Sequence, residues 1–89
     1  MFTEISNMFG NTPLIAVDFK YRGKEATIYA KVESYNPTGS LKDRVAYYIL
    51  KKAYEKKEIL KNDVIVEATS GNTGIAFSAL GAYLGHKVI

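Results

Sequence analysis

The sequence has no cysteine and a single histidine, His86. Without cysteine there is no disulfide framework and no thiolate chemistry. With one histidine besides, the donor set of an ordinary zinc site is missing, and no metal is expected. No apolar run approaches the ~20 residues of a membrane-spanning helix. Met1-Phe2-Thr3-Glu4 lacks the basic and then apolar pattern of a secretory leader, so the expected compartment is the cytoplasm. Charge of neither sign is concentrated. Twelve Lys and Arg against nine Asp and Glu give a net charge of +3. The basic residues scatter as Lys20, Arg22, Lys24, Lys51, Lys52, Lys56, Lys57 and Lys61. Most of them read as the wet face of a helix and its exit. No nucleic-acid-binding signature accompanies them, so neither nucleic acid nor a membrane is expected as a partner.

Eighty-nine residues make one small domain at most. After a polar lead-in, Gly10-Asn11-Thr12-Pro13 marks a turn. Leu14 to Phe19 is a short apolar strand. Ala26 to Glu33 alternates, with Ile28, Ala30 and Val32 on one face, and reads as a half-buried strand. The turn signal Arg22-Gly23-Lys24 between them predicts an antiparallel hairpin. A helix is predicted from about Leu41 to Lys57, with an apolar stripe at Leu41, Val45, Tyr48, Ile49 and Ala53. Val64-Ile65-Val66 has no alternation, as in a parallel strand covered on both faces. A second helix is predicted over Thr73 to Leu84, apolar nearly all round and hence buried, with Gly85 closing it. Lys87-Val88-Ile89 opens another strand. The expected fold class is α/β: an antiparallel hairpin, then βαβ-like elements of a parallel sheet. The last strand and the nearly charge-free helix need cover that these residues do not supply. The expectation is the front portion of a longer protein; the alternative is a complete small domain with a short final strand.

The chain is organised around Asn36-Pro37-Thr38-Gly39-Ser40-Leu41-Lys42-Asp43-Arg44, a turn running directly into the first helix. Ser40 is the natural N-cap, its hydroxyl placed to accept from the Asp43 N–H, and Ser40-x-x-Asp43 is a short-armed capping box. Lys42 is out of place. It falls in the first helical turn, where a cation is disfavoured by about 0.3–1 kcal/mol. A positive environment and burial both push a lysine toward the neutral amine, the form that attacks carbonyls. Two readings of this stretch stand: a nucleophilic lysine, or a surface lysine paired with Asp43 or Glu33.

Thr69-Ser70-Gly71-Asn72-Thr73-Gly74 lies between a strand and a helix N-terminus, where free N–H groups bind anions. The glycines let the backbone approach a ligand, and the hydroxyls and the Asn72 amide add donors. The set suits a carboxylate or a phosphate. It is neither a Walker loop nor a dinucleotide fingerprint, and a plain capped turn remains the alternative. A nucleophilic amine beside a carboxylate cradle is the logic of an amino-acid enzyme that works through a Schiff base.

The stretches Asn36 to Arg44 and Glu67-Ala68-Thr69-Ser70-Gly71-Asn72-Thr73-Gly74, with Gly10-Asn11-Thr12-Pro13-Leu14, resemble the N-terminal part of the cysteine synthase (O-acetylserine sulfhydrylase) family of fold-type-II, pyridoxal-phosphate-dependent enzymes. The likeness runs from residue 10 to residue 89. It implies that Lys42 forms the Schiff base with pyridoxal 5'-phosphate and later acts as general base. It implies that Asn72 bonds the cofactor's phenolic oxygen, and that Thr69, Ser70, Gly71, Asn72 and Thr73 hold the substrate α-carboxylate. The implied reaction is β-replacement: acetate leaves O-acetylserine, an aminoacrylate forms, and sulfide adds to give L-cysteine. The family also implies a homodimer.

Leu41, Val45 and Thr73 stand where threonine synthases and dehydratases usually carry other residues, which favours the sulfhydrylase group. A cystathionine β-synthase shares both loops and stays open, as does a non-catalytic assembly piece. Residues 1–89 are thus expected to be the N-terminal portion of a β-replacement enzyme. The family's phosphate cup and its partner for the pyridine nitrogen have no counterpart among them. These 89 residues alone are therefore expected to be inactive, and turnover of O-acetylserine by the isolated chain would refute this.

Overall fold

The computed structural model describes residues 1–89. Strands β1 (Leu14–Tyr21) and β2 (Lys24–Lys31) form the predicted antiparallel hairpin, with Leu14 opposite Lys31 and Tyr21 opposite Lys24. Arg22 and Gly23 turn the chain with φ of 51° and 76°, the two-residue geometry whose twist matches the strands. Ile15, Val17 and Phe19 share one face with Ala30, Ile28 and Ala26 across the pair. On the other face the Thr27 hydroxyl donates to Asp18 at 2.7 Å. The alternation over Ala26 to Glu33 predicts a half-buried second strand, and the structure corrects it. Neither strand packs on a helix, so Ile28 is 52% exposed and the molecule is drawn out to 57 × 28 × 19 Å.

The core lies between helices α1 (Lys42–Glu55) and α2 (Asn72–Leu84). Ala46 and Leu50 meet Ala76, Phe77 and Leu80, with Ile5 of the N-terminal segment closing one side. The four-residue spacings 46–50 and 76–80 put each pair on one helical face. Phe9 stacks on Tyr47 at 4.6 Å and Phe2 meets it edge-on at 5.8 Å, which ties the N-terminal segment to α1. Of the apolar stripe, Ala53 is half-buried while Leu41, Val45, Tyr48 and Ile49 are exposed, because α2 covers the neighbouring face. Likewise α2 is covered on one side only, leaving Ile75 and Tyr83 open.

Gly85 ends α2 with φ of 86°. Its N–H bonds Ala82 O at 3.1 Å and the next N–H, of His86, bonds Gly81 O at 2.8 Å, the paired closure of a Schellman motif. The chain then returns beside Ile65. Ile65 N–H to Lys87 O, Ile89 N–H to Ile65 O and Glu67 N–H to Ile89 O make a short parallel ladder, as the βαβ reading predicts. It amounts to one bridge, and Val66 is 73% exposed, so the fully buried strand expected there is not formed within these residues. His86 is buried and pins the ends of both helices. Its Nδ1 lies 2.7 Å from Asp63 O, which can only accept, so Nδ1 carries the hydrogen and Nε2 accepts from the Tyr54 hydroxyl. Burial, and then the Asp63 carboxylate, push the Tyr54 phenol up, keeping it the donor.

Gly81 sits where α2 meets this ladder. A Cβ there would run into Val88 Cγ2 and come within 3.5 Å of Ile65 Cδ1. Alanine gains about 1 kcal/mol of helix propensity over glycine, while overpacking costs about 1–3 kcal/mol. Gly81→Ala is expected to lower stability by about 1 kcal/mol in urea unfolding. A more stable variant would show that the ladder yields freely.

Candidate functional site

Lys42 is the first residue of α1 and is exposed. Its amine makes no hydrogen bond or ion pair within the chain, because both candidate partners are committed elsewhere. Asp43, 1% exposed, accepts from the Thr38 N–H at 2.6 Å and from the Thr38 hydroxyl. Glu33 takes Arg44, with Nε at 2.5 Å from Oε1 and Nη2 at 3.1 Å from Oε2. The capping expectation needs correction. The Ser40 hydroxyl accepts from the Lys42 N–H at 3.2 Å rather than from Asp43, and the Asp43 carboxylate reaches back to Thr38 rather than to Ser40. The first turn is closed by short backbone bonds, Asp43 N–H to Ser40 O and Arg44 N–H to Leu41 O. The buried Asp43 carboxylate opposes the positive helix end, which eases the placement of Lys42 there.

The remaining residues of the stretch also turn inward. Asn36 is buried. Its Nδ2 donates to Glu33 O at 2.9 Å and to Glu33 Oε1 at 3.1 Å, and its Oδ1 accepts from the Gly10 N–H at 2.8 Å. Buried Thr12 donates its hydroxyl to Glu33 and accepts from Arg44 Nη2 at 3.3 Å. A Cβ on Gly10 would lie 2.9 Å from Arg44 Nη1, so only glycine lets the guanidinium lie against that turn. Thus the Gly10–Thr12 turn, the end of β2 and the start of α1 are stitched together around one ion pair.

At the start of α2, the Thr69 hydroxyl oxygen accepts from the Gly71 N–H at 3.2 Å and the Gly74 N–H at 3.1 Å. Both lone pairs are thereby used, and the hydroxyl hydrogen is left to donate outward. The first helical bond is Ile75 N–H to Gly71 O, so the N–H groups of Ser70, Asn72 and Thr73 have no partner in the chain. Ser70, Gly71 and Asn72 are exposed and Thr73 is half-buried. The two loops therefore head two helices that pack on each other. No hydrogen bond joins Lys42 to residues 69–73, and both loops are open to solvent. A free amine and a set of outward donors are what a cofactor aldehyde and a carboxylate require.

Residues 5–89 match the family described as "Pyridoxal-phosphate dependent enzyme". The chain belongs to that family. A solved hydrogen sulfide-producing enzyme from Fusobacterium nucleatum superposes with a TM-score of 0.95 at 61% identity, over 98% of this chain and 26% of that one. Cysteine synthase B of Campylobacter jejuni is 44% identical over 97% of this chain and 27% of its own length. Cystathionine beta-synthase of Saccharomyces cerevisiae is 42% identical over 96% of this chain and 17% of its own. The chain thus spans about a quarter of the cysteine synthase relative and of the solved enzyme. The family depends on pyridoxal phosphate, and the free Lys42 amine and the free donors of the second loop are consistent with that requirement.

The sequence reading of this family member missed Thr12, Glu33 and Arg44 as a working unit. The signal was present as charge: Glu33 and Arg44 are opposite in sign and flank the motif loop. Pairing across eleven residues cannot be read from spacing alone. Hydrogen bonds from Arg44 and then Thr12 hold Glu33 down from 4.5 to about 2. Its contribution to stability is complete above 4.5 and is lost as the pH falls from there toward 2. In acid titrations of the melting temperature, the unaltered protein should fall more steeply across that window than Glu33→Gln. Parallel curves would count against the coupling.

Proposed function

We propose that these residues carry the lysine and the carboxylate cradle of a pyridoxal-phosphate-dependent β-replacement enzyme. In this reading sulfide replaces the acetate of O-acetylserine, giving L-cysteine and acetate. One observation supports it most: in the stretch Asn36–Arg44, Asn36, Thr38, Asp43 and Arg44 all bond inward while the Lys42 amine stays free. A stretch selected only to start a helix would not keep its one misplaced cation unpaired. The named relatives, a cysteine synthase B and a hydrogen sulfide-producing enzyme, support the sulfur chemistry.

Pyridoxal phosphate, when bound, supplies an electron sink for the carbanion at the substrate's α-carbon. Lys42 Nζ is the atom that would join the cofactor, and as a free amine it would take the substrate's α-proton onto Nζ. The N–H groups of Ser70, Asn72 and Thr73 and the Thr69 hydroxyl would hold the α-carboxylate at the positive end of α2. The Asn72 side chain, exposed beside them, would bond the cofactor's ring oxygen. The 61% identity to a hydrogen sulfide-producing enzyme favours a second reading. There the same lysine and cradle serve a reaction that expels sulfide from the β-carbon instead of adding it.

The test is Lys42→Ala in the full-length protein supplied with pyridoxal phosphate. Borohydride labelling of position 42 should vanish, and turnover should fall by about 10²–10⁴-fold or more. Unchanged turnover would refute the assignment. Product analysis of the unaltered protein separates the two readings: acetate and cysteine from O-acetylserine and sulfide for the first, net release of sulfide for the second.

A further inference from the structure

We propose that Glu33 and Arg44 are positioning residues for Lys42. Their paired side chains fix the residue at which α1 begins, and so the direction in which its first residue presents its amine. This rests on the role of Lys42 proposed above.

Arg44 lies two residues after Lys42, in the same helical turn. Its guanidinium meets Glu33 through two nitrogens, at 2.5 and 3.1 Å, and a forked pair of this kind constrains orientation as well as distance. Glu33 in turn belongs to the segment that leaves β2, and it also takes the Thr12 hydroxyl and the Asn36 amide. Buried Asn36 is held to Glu33 on one side and to the Gly10 N–H on the other. The loop from residue 37 to residue 41 is therefore anchored at both ends to one carboxylate, by Asn36 before it and Arg44 after it. The Asp43–Thr38 bonds form an inner strut across that loop. Gly10, having no Cβ, leaves the space that the guanidinium occupies beside that turn.

Helical geometry shows why such anchoring matters. With 3.6 residues per turn, a slip of one residue in the start of α1 swings a side chain about 100° around the axis. Lys42, at the very start, has no preceding helical turn to hold it. An ion pair that locks Arg44 and Asn36 to the same carboxylate blocks that slip. Reacting groups tolerate little error: misplacement by about 1 Å can cost about 10²-fold in rate.

The test uses the full-length protein with pyridoxal phosphate and reads two quantities: the dissociation constant of the cofactor, and the fraction of Lys42 labelled after borohydride, by peptide mass. Glu33→Gln and Arg44→Lys are compared with Tyr54→Phe, which weakens the His86 contact at the other end of α1. Each protein is assayed at the same interval below its own melting temperature. Glu33→Gln and Arg44→Lys should bind the cofactor about tenfold more weakly or worse and label Lys42 less. Glu33→Asp should recover part of the loss, and Tyr54→Phe should match the unaltered protein. Wild-type binding and labelling in the Glu33 and Arg44 variants would overturn the inference, as would an equal loss in Tyr54→Phe. Should Glu33→Gln and Arg44→Lys fail to fold, Thr12→Val, which removes one hydroxyl from the cluster, must show a loss in the same direction, and no loss overturns the inference. No label on Lys42 in the unaltered protein would overturn the functional reading itself, and this inference with it.

Discussion

Arg44 joins three stretches that lie far apart in sequence: the Gly10–Thr12 turn, Glu33 at the end of the hairpin, and the first turn of α1. The pair it makes with Glu33 is partly solvated, so its value lies less in raw attraction than in what it organises. Thr12 and Asn36 are buried polar groups that would be costly to leave unpaired, and Glu33 is a hydrogen-bond partner of both. No buried side-chain polar atom lacks a partner. With only six apolar residues buried, the approach to α1 is specified by polar satisfaction rather than by packing.

The apolar faces complement this. The Ile15–Val17–Phe19 face of the hairpin, the Leu41–Val45–Tyr48–Ile49 side of α1 and the Ile75–Tyr83 side of α2 all stand open, although each has the period of a buried surface. Within these residues only the α1–α2 seam is closed. Local conformation does not depend on that cover. The hairpin ladder, the helix interiors and the Schellman closure satisfy their backbone groups internally, so the elements form where the pattern places them.

This separates what was legible from what was not. The hairpin, its turn, both helices and the Gly85 stop were readable because each rests on neighbours within a few residues. The parallel return of Val88 beside Ile65 was readable because the connection between them is a helix. Which face of α1 is buried was not, since Ala46 and Leu50 are outnumbered by the larger apolar residues beside them, and small residues mark a close helix contact only once the partner is known. The cap at Ser40 was half right. The hydroxyl serves a helical N–H, but the short Asp43 side chain finds Thr38 instead, because the Pro37–Gly39 turn folds that threonine over the helix start. In the candidate site, the residue types and their places at two helix starts were visible. The Glu33–Arg44 clasp was not, because it depends on where the hairpin ends in space.

The two helix starts differ in charge. In α1 the first turn holds Asp43, its carboxylate buried beneath the loop, so part of the positive end is neutralised from inside. A lysine can then stand at the surface of that end without an acidic partner of its own. In α2 the first turn holds no acid, and three N–H groups are left unbonded, so its positive end is uncompensated and directed outward. One end therefore carries an unpaired cation over a buried acid, and the other turns unpaired N–H groups outward, a charge pattern that favours an anion there.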